Sequence, residues 1–373
     1  MCAKRVLEPR DGEFERSRNM SLARLSLIAL AACLPTLTAC SAPPGEDAGE
    51  GANEISGNQM SAAASARWNA YVARVTQGVT LQSGCRPTRV SPVKGASYKG
   101  TIVLFHGFTA CPQQFFEVAK PLSAAGFEVL MPLLPGEGRV TVARNGKMHD
   151  DLSDMPTPAT RTRYLDLADE MTEIARMAGG TKVVGGLSVG GMVATAALER
   201  GAGVWARGEV FAPFFGAPGL QGWITQGVAP LLPSYVQAWE GCDAARQNPN
   251  HARSGYCEFQ LQHLEAAIQL GKEVVSGAGA IAVPVQLAGV EADRAADDGL
   301  MHDVVDRAAN MNACFYPKGT PHAFVARFDH PELDMKWIPL LNQQITAYAT
   351  RGAPFATEGT SSEYGFPRCV IAR

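Results

Sequence analysis

An α/β fold with a mostly parallel central sheet and helices on both faces follows from three features of this sequence. Short, β-branched apolar runs alternate with amphipathic segments from about Trp68 to Tyr348. The runs are near-continuous in apolar character, as strands buried on both faces are. The chain of 373 residues, 46% of them hydrophobic, is also long enough to bury the core such a fold needs.

Thr101–Phe105, "TIVLF", predicts the first buried strand, and Pro112–Ala125 the helix after it. Phe127–Met131, "FEVLM", predicts the next strand. Arg161–Ala178 carries Leu165, Ala168, Met171, Ile174 and Ala175 at helical spacing, with charges opposite. Thr181–Val184 predicts a strand and Val189–Arg200 a helix; Val204–Ala212 and Ile281–Ala288 predict two more strands. Met311–Tyr316 is the last expected strand and Leu333–Tyr348 the last helix. Two interruptions stand out. Gly136–Pro156 is polar and reads as a surface insertion. Phe214–Gly279 is too long for an ordinary loop and predicts a helical lid insertion, with Phe214, Phe215, Trp223, Ile224, Leu231, Leu232, Tyr235 and Trp239 offering an apolar mouth.

The ends of the chain read differently. Met20–Cys40 has one basic residue, an apolar stretch too short for a settled span, then small residues, which is the grammar of an export signal. Its close, Leu37-Thr38-Ala39-Cys40, resembles a bacterial lipobox and implies cleavage before Cys40 and lipid attachment to it. Residues 1–39 are therefore set apart as upstream residues and signal. Residues 40–66 follow as a flexible tether poor in large apolar side chains, with 67–350 as the domain and 351–373 as a tail. The expected location is the cell envelope. Six cysteines then remain, Cys85, Cys111, Cys242, Cys257, Cys314 and Cys369, an even number that suggests disulfides in an exported chain. Cys242 with Cys257 is the favoured pair, and a free buried thiol stays open for Cys111 or Cys314. The net charge of −3 supplies no basic surface for nucleic acid. His149-Asp150-Asp151 lacks metal-ligand spacing and reads as a solvated loop.

In open parallel sheets ligands bind at the carboxyl ends of the strands, so the loops after strands carry the search. Gly186-Leu187-Ser188-Val189-Gly190 is G-x-S-x-G between a strand and a helix. A turn that tight leaves no room for side chains two residues to either side of Ser188, hence Gly186 and Gly190. A phosphate cradle would want lysine before the serine, and none is there. His106-Gly107-Phe108-Thr109 follows "TIVLF" in the position where an oxyanion hole is built. The amides of Phe108 and Val189 are the candidate donors, with His106 bracing the loop beside Gly107. After Val290 come Glu291, Asp293, Asp297 and Asp298; Asp293 is preferred as the acid, with Asp297 in reserve. His322, in the loop after the last strand, is the candidate base, with His330 its competitor.

The segments "HGFT", "GLSVGG", "ADRAAD" and "GTPH" together resemble the α/β-hydrolase fold, in its serine branch of monoglyceride lipases, lysophospholipases and carboxylesterases. The acid loop is one residue longer than the G-x-A-D-R of the monoacylglycerol-lipase type. The resemblance implies ester hydrolysis through an acyl-enzyme on Ser188, with His322 as base and Asp293 orienting it, and with no metal or organic cofactor. It also implies a small-molecule or lipid ester as substrate, met at a membrane through the lipid anchor. A serine aminopeptidase of the same fold is the nearest rival and would need an amine anchor such as Glu240 or Asp243. A silent envelope-binding lipoprotein is the rival from another class. Epoxide hydrolases and dehalogenases place a carboxylate where this chain has Ser188.

Overall fold

The computed structural model describes residues 60–142, 148–219, 235–238, 255–330, 333–355 and 370–372. Up to the middle of the chain the elements are α1 (Ala62–Thr76), β1 (Thr88–Val90), β2 (Gly100–Phe105), α2 (Phe116–Ala124), β3 (Phe127–Met131), β4 (Val140–Val142), β5 (Met148–Asp150), α3 (Arg163–Met177), β6 (Thr181–Leu187) and α4 (Val189–Arg200). Then come β7 (Arg207–Phe211), β8 (Tyr235–Gln237), β9 (Glu258–Gln260), α5 (Leu261–Gly277), β10 (Val285–Val290), α6 (Asp298–Arg307), β11 (Met311–Tyr316), α7 (Ile338–Arg351) and β12 (Val370–Ala372).

Eight strands form one sheet in the order β1-β3-β2-β6-β7-β10-β11-β12. The inner six run parallel, and β1 and β12 close the edges antiparallel. The chain steps from β2 outward to β3, then reverses past β2 to β6 and continues in one direction. Right-handed crossovers therefore put α2 on one face and α3, α4, α5 and α6 on the other. The packing agrees: α3 lies against α1 and α4, α5 against α4 and α6, and α2 against α7. β2, β3 and β10 are buried at every position, Thr101, Glu128 and Gln286 included.

Several boundaries move for physical reasons. α1 starts at Ala62, capped by the Ser61 hydroxyl, so residues 62–66 are helix rather than tether. Alanine is a strong helix former, and Trp68 and Tyr71 anchor the helix in the core. The Tyr71 hydroxyl donates to the Leu133 carbonyl at 3.0 Å and accepts from the Leu133 amide at 2.9 Å. β10 begins only at Val285, one residue past Pro284, which has no N–H for a ladder. α7 starts at Ile338 with Pro339 in its first turn, where a missing N–H costs nothing. The far end of the supposed tail, Val370–Ala372, adds β12 to the sheet.

Gly136–Pro156 is more buried than its polarity suggested, and both ends of Phe214–Gly279 belong to the core layers. Within 136–156, β4 and β5 pair antiparallel, and Glu137, Val140, Leu152 and Met155 are buried. Asp150, expected in a solvated loop, is half-buried and accepts from the Cys257 amide at 2.8 Å. Within 214–279, Phe214 and Phe215 belong to the core. α5 is a layer helix, burying His263, Ala266, Ala267, Leu270 and Val274. A Cβ on its Gly271 would lie 2.2 Å from the Phe215 carbonyl oxygen, so helix and chain pack at backbone contact. Only the antiparallel pair β8–β9 remains of the insertion among the described residues. Trp223, Ile224, Leu231, Leu232, Trp239, Glu240, Cys242 and Asp243 lie outside them, as do Cys40 and the signal. Cys85 bonds to Cys111, and Cys257 and Cys314 are also disulfide-bonded, so neither Cys111 nor Cys314 is a free thiol. Among the described residues no helix is long and apolar enough to cross a membrane.

Candidate active site

Backbone strain marks one edge of the sheet. Among the described residues four that are not glycine have positive φ: Thr109, Ser188, Ala212 and Ala292. They follow β2, β6, β7 and β10, all at the carboxyl ends of parallel strands. Such conformations cost on the order of 1–3 kcal/mol each and persist only where surrounding structure enforces them.

Ser188 stands between β6 and α4 with φ 57° and ψ −123°. Its amide donates to the Phe211 carbonyl at 3.0 Å, and its carbonyl accepts from Met192 at 3.0 Å and Phe214 at 2.9 Å. The flanking glycines are steric necessities. A Cβ on Gly186 would sit 2.3 Å from the Gly190 carbonyl oxygen, and one on Gly190 would sit 2.0 Å from that of Phe105. Val189 opens α4, so its amide belongs to the helix end whose donors lack intrahelical acceptors.

The loop after β2 lies directly beside the serine: a Cβ on Gly107 would be 3.4 Å from the Ser188 Cβ. His106 is fully buried, and its Nε2 accepts from the Leu134 amide at 2.9 Å. Its Nδ1 therefore carries the hydrogen and donates to the Gly107 carbonyl at 2.8 Å. Burial pushes His106 down to about 4, which keeps it neutral. The Gly107 amide donates to Gln114 Oε1 at 2.6 Å, and Gln114 Nε2 donates to the buried Asp329. In a trans peptide the C=O and N–H point opposite ways, so the grip on the Gly107 carbonyl also sets the direction of the Phe108 N–H.

Asp293 is buried three residues past β10. Its Oδ2 meets His322 Nδ1 at 2.6 Å, and its Oδ1 accepts from the Ala295 amide at 2.8 Å. That contact leaves His322 Nε2 as the free ring position. It is buried and has no hydrogen-bond partner among the described residues, Ser188 included. Of the other acids in the loop, Asp297 caps α6 through the Leu300 amide, and Asp298 accepts from Ala292 at 2.7 Å. His330 ends the short turn Arg327–Asp329. The structure thus joins Asp293 to His322 and sets Gly107 against Ser188, with all four loops on one sheet edge.

Sequence reasoning missed four supports. The Cys85–Cys111 disulfide ends the loop that starts at His106. Glu137 Oε1 accepts from the Thr109 amide at 3.1 Å. The Tyr256 amide donates to the Thr109 carbonyl at 2.9 Å, and Phe259 meets the Phe108 ring edge-on, centroids 5.1 Å apart. The Gly-Glu-Gly of 136–138 was the one legible signal, since glycines flanking an acid mark a tight turn rather than a solvated stretch.

A mostly parallel sheet with a strained serine after β6, an acid after β10 and a histidine after β11 defines an α/β-hydrolase. Residues 96–324 match the family described as serine aminopeptidase, S33, and the chain belongs to that family. No curated protein matches it. Among solved structures it is similar to a metagenome-derived lipolytic enzyme of the LipS and LipT study, with 14% identity and TM-score 0.53 over 72% of this chain and 99% of that one. It is also similar to a soluble variant of monoglyceride lipase from Saccharomyces cerevisiae, with 16% identity and TM-score 0.52 over 75% and 98%. Monoacylglycerol lipase from Paleococcus ferrophilus gives 15% identity and TM-score 0.50 over 72% and 99%. At such identities the likeness establishes the fold.

Proposed function

We propose that this hydrolase cleaves carboxylic esters, medium-chain or lipid monoesters, through an acyl-enzyme on Ser188. The observation that carries the reading is Ser188 at φ 57° between β6 and α4, on the sheet edge that also holds the His322–Asp293 pair. Asp293 fixes the imidazole with its hydrogen on Nδ1, so Nε2 is the base that takes the serine proton. In unliganded sites the serine–histidine contact is commonly longer than a hydrogen bond and shortens when substrate binds. The Ser188 oxygen attacks the ester carbonyl, and the Phe108 and Val189 amides receive the oxyanion. His322 then protonates the leaving alcohol, and water repeats the cycle to release the acid.

The half-buried aromatic pair Phe108–Phe259 beside one donor amide favours an apolar acyl group. The lipobox-like Leu37-Thr38-Ala39-Cys40 supports attachment to the cell envelope through lipid on Cys40. The test is hydrolysis of p-nitrophenyl esters across acyl lengths by wild type and Ser188→Ala. Wild type is expected to peak at intermediate lengths and the variant to lose about 10⁴–10⁶-fold in kcat. Unchanged turnover in Ser188→Ala would end the proposal.

The family's description favours one second reading, an aminopeptidase at the same serine. Turnover of aminoacyl anilides above that of esters, lost equally in Ser188→Ala, would select it.

A further inference from the structure

Glu137 lies in the turn between β3 and β4 and is fully buried. The turn is forced inward by its glycines. Gly136 and Gly138 have φ of 76° and 68°; a Cβ on the first would sit 2.2 Å from the Asp154 carbonyl oxygen, and one on the second 2.5 Å from the Cys85 Cβ. Glu137 Oε1 accepts from the Thr109 amide at 3.1 Å, and Oε2 has no hydrogen-bond partner among the described residues. Burying a carboxyl for a single hydrogen bond is costly, so the bond's location is informative.

Thr109 is the strained residue immediately after Phe108, with φ 57°. Its carbonyl is held by the Tyr256 amide, and its hydroxyl donates to the Phe108 carbonyl at 2.7 Å. Glu137 supplies the remaining restraint, the acceptor for the Thr109 N–H. The Phe108–Thr109 peptide is then held at both ends, and the peptide before it is gripped at the Gly107 carbonyl by His106. We propose that Glu137 is a positioning residue for the oxyanion site, fixing the Phe108–Thr109 peptide through the Thr109 amide and so aiming the Phe108 N–H. This rests on the reading of Ser188 as nucleophile and Phe108 as donor.

The other titratable groups whose charge bears on it are consistent with a neutral acceptor. Asp150 of β5 adds to burial in holding the Glu137 carboxyl well above the usual range. Tyr164 of α3 and Tyr256 are themselves pushed up by burial. A neutral carboxyl accepts through its carbonyl oxygen as an amide does, which makes glutamine the informative replacement.

The experiment measures kcat and KM on one p-nitrophenyl ester, and the Ki of a trifluoromethyl ketone that forms a tetrahedral adduct. It compares wild type, Glu137→Gln and Glu137→Leu, each checked for folding by circular dichroism. Glu137→Gln should stay within roughly threefold of wild type in kcat, and Glu137→Leu should lose about 10- to 100-fold with KM little changed. Ki should weaken with kcat, because both depend on the oxyanion donors. If the leucine variant does not fold, Glu137→Asp takes its place, since it withdraws the oxygen by one methylene. A folded leucine or aspartate variant with wild-type kcat overturns the proposal, as does a glutamine variant as slow as leucine. Failure of the functional reading shows separately, as ester turnover that survives Ser188→Ala.

Discussion

At the scale of single residues, the site depends on two side chains holding hydrogens in fixed places. His106 is neutral, donates through Nδ1 and accepts through Nε2, so it orients a peptide rather than moving a proton. His322 has the same tautomer for another reason, the 2.6 Å contact of Nδ1 with Asp293, and its Nε2 has no partner. Asp293→Asn tests that distinction. An amide can present N–H to Nδ1 and turn the ring to the tautomer whose Nε2 is protonated. We expect kcat to fall about 10⁴-fold near neutral pH with folding intact. A fall below roughly tenfold, measured with the same ester, would remove Asp293 from its role.

At the scale of elements, the strands that position the site were legible because each is a run of apolar, β-branched residues with a turn at its end. Met311–Tyr316 and Phe127–Met131 have the expected bounds. Gly186 and Gly190 were readable as steric requirements, because a Cβ at either strikes backbone whatever the surrounding side chains. Two kinds of feature were not readable. Long-range partners such as Glu137 to Thr109 and Cys85 to Cys111 depend on where the chain folds back, which periodicity does not encode. The other kind is an element whose role depends on its neighbours. α5 has the amphipathic pattern of any covering helix, and only its packing on α4 and α6 separates it from a lid. Polarity also misled at Gly136–Pro156, where Glu137 and Asp150 accept from the Thr109 and Cys257 amides of other loops.

At the scale of the whole molecule, buried carboxyls give stability a pH dependence. Glu209, at the centre of the sheet in β7, is fully buried. Burial raises it well above its ordinary range, with Arg207 opposing in part. Glu199 is raised to about 8, also by burial. The folded state therefore holds protons that the unfolded chain releases above about pH 4.5. Their contribution is complete below that pH and is lost as pH rises toward the folded values. In Glu209→Gln the Tm difference from wild type should grow in favour of the variant between pH 5 and 9. A difference that stays constant with pH would show that Glu209 is ionised in the fold.

The proposed ester chemistry rests on Ser188, and the most direct measurement asks which residue a serine-directed electrophile finds. Intact protein is treated with a fluorophosphonate and the modified peptide is mapped by mass spectrometry, with Ser188→Ala alongside. One adduct is expected, on Ser188, and absent from the variant. No adduct on folded wild-type protein, or one on another residue that persists in Ser188→Ala, would contradict it.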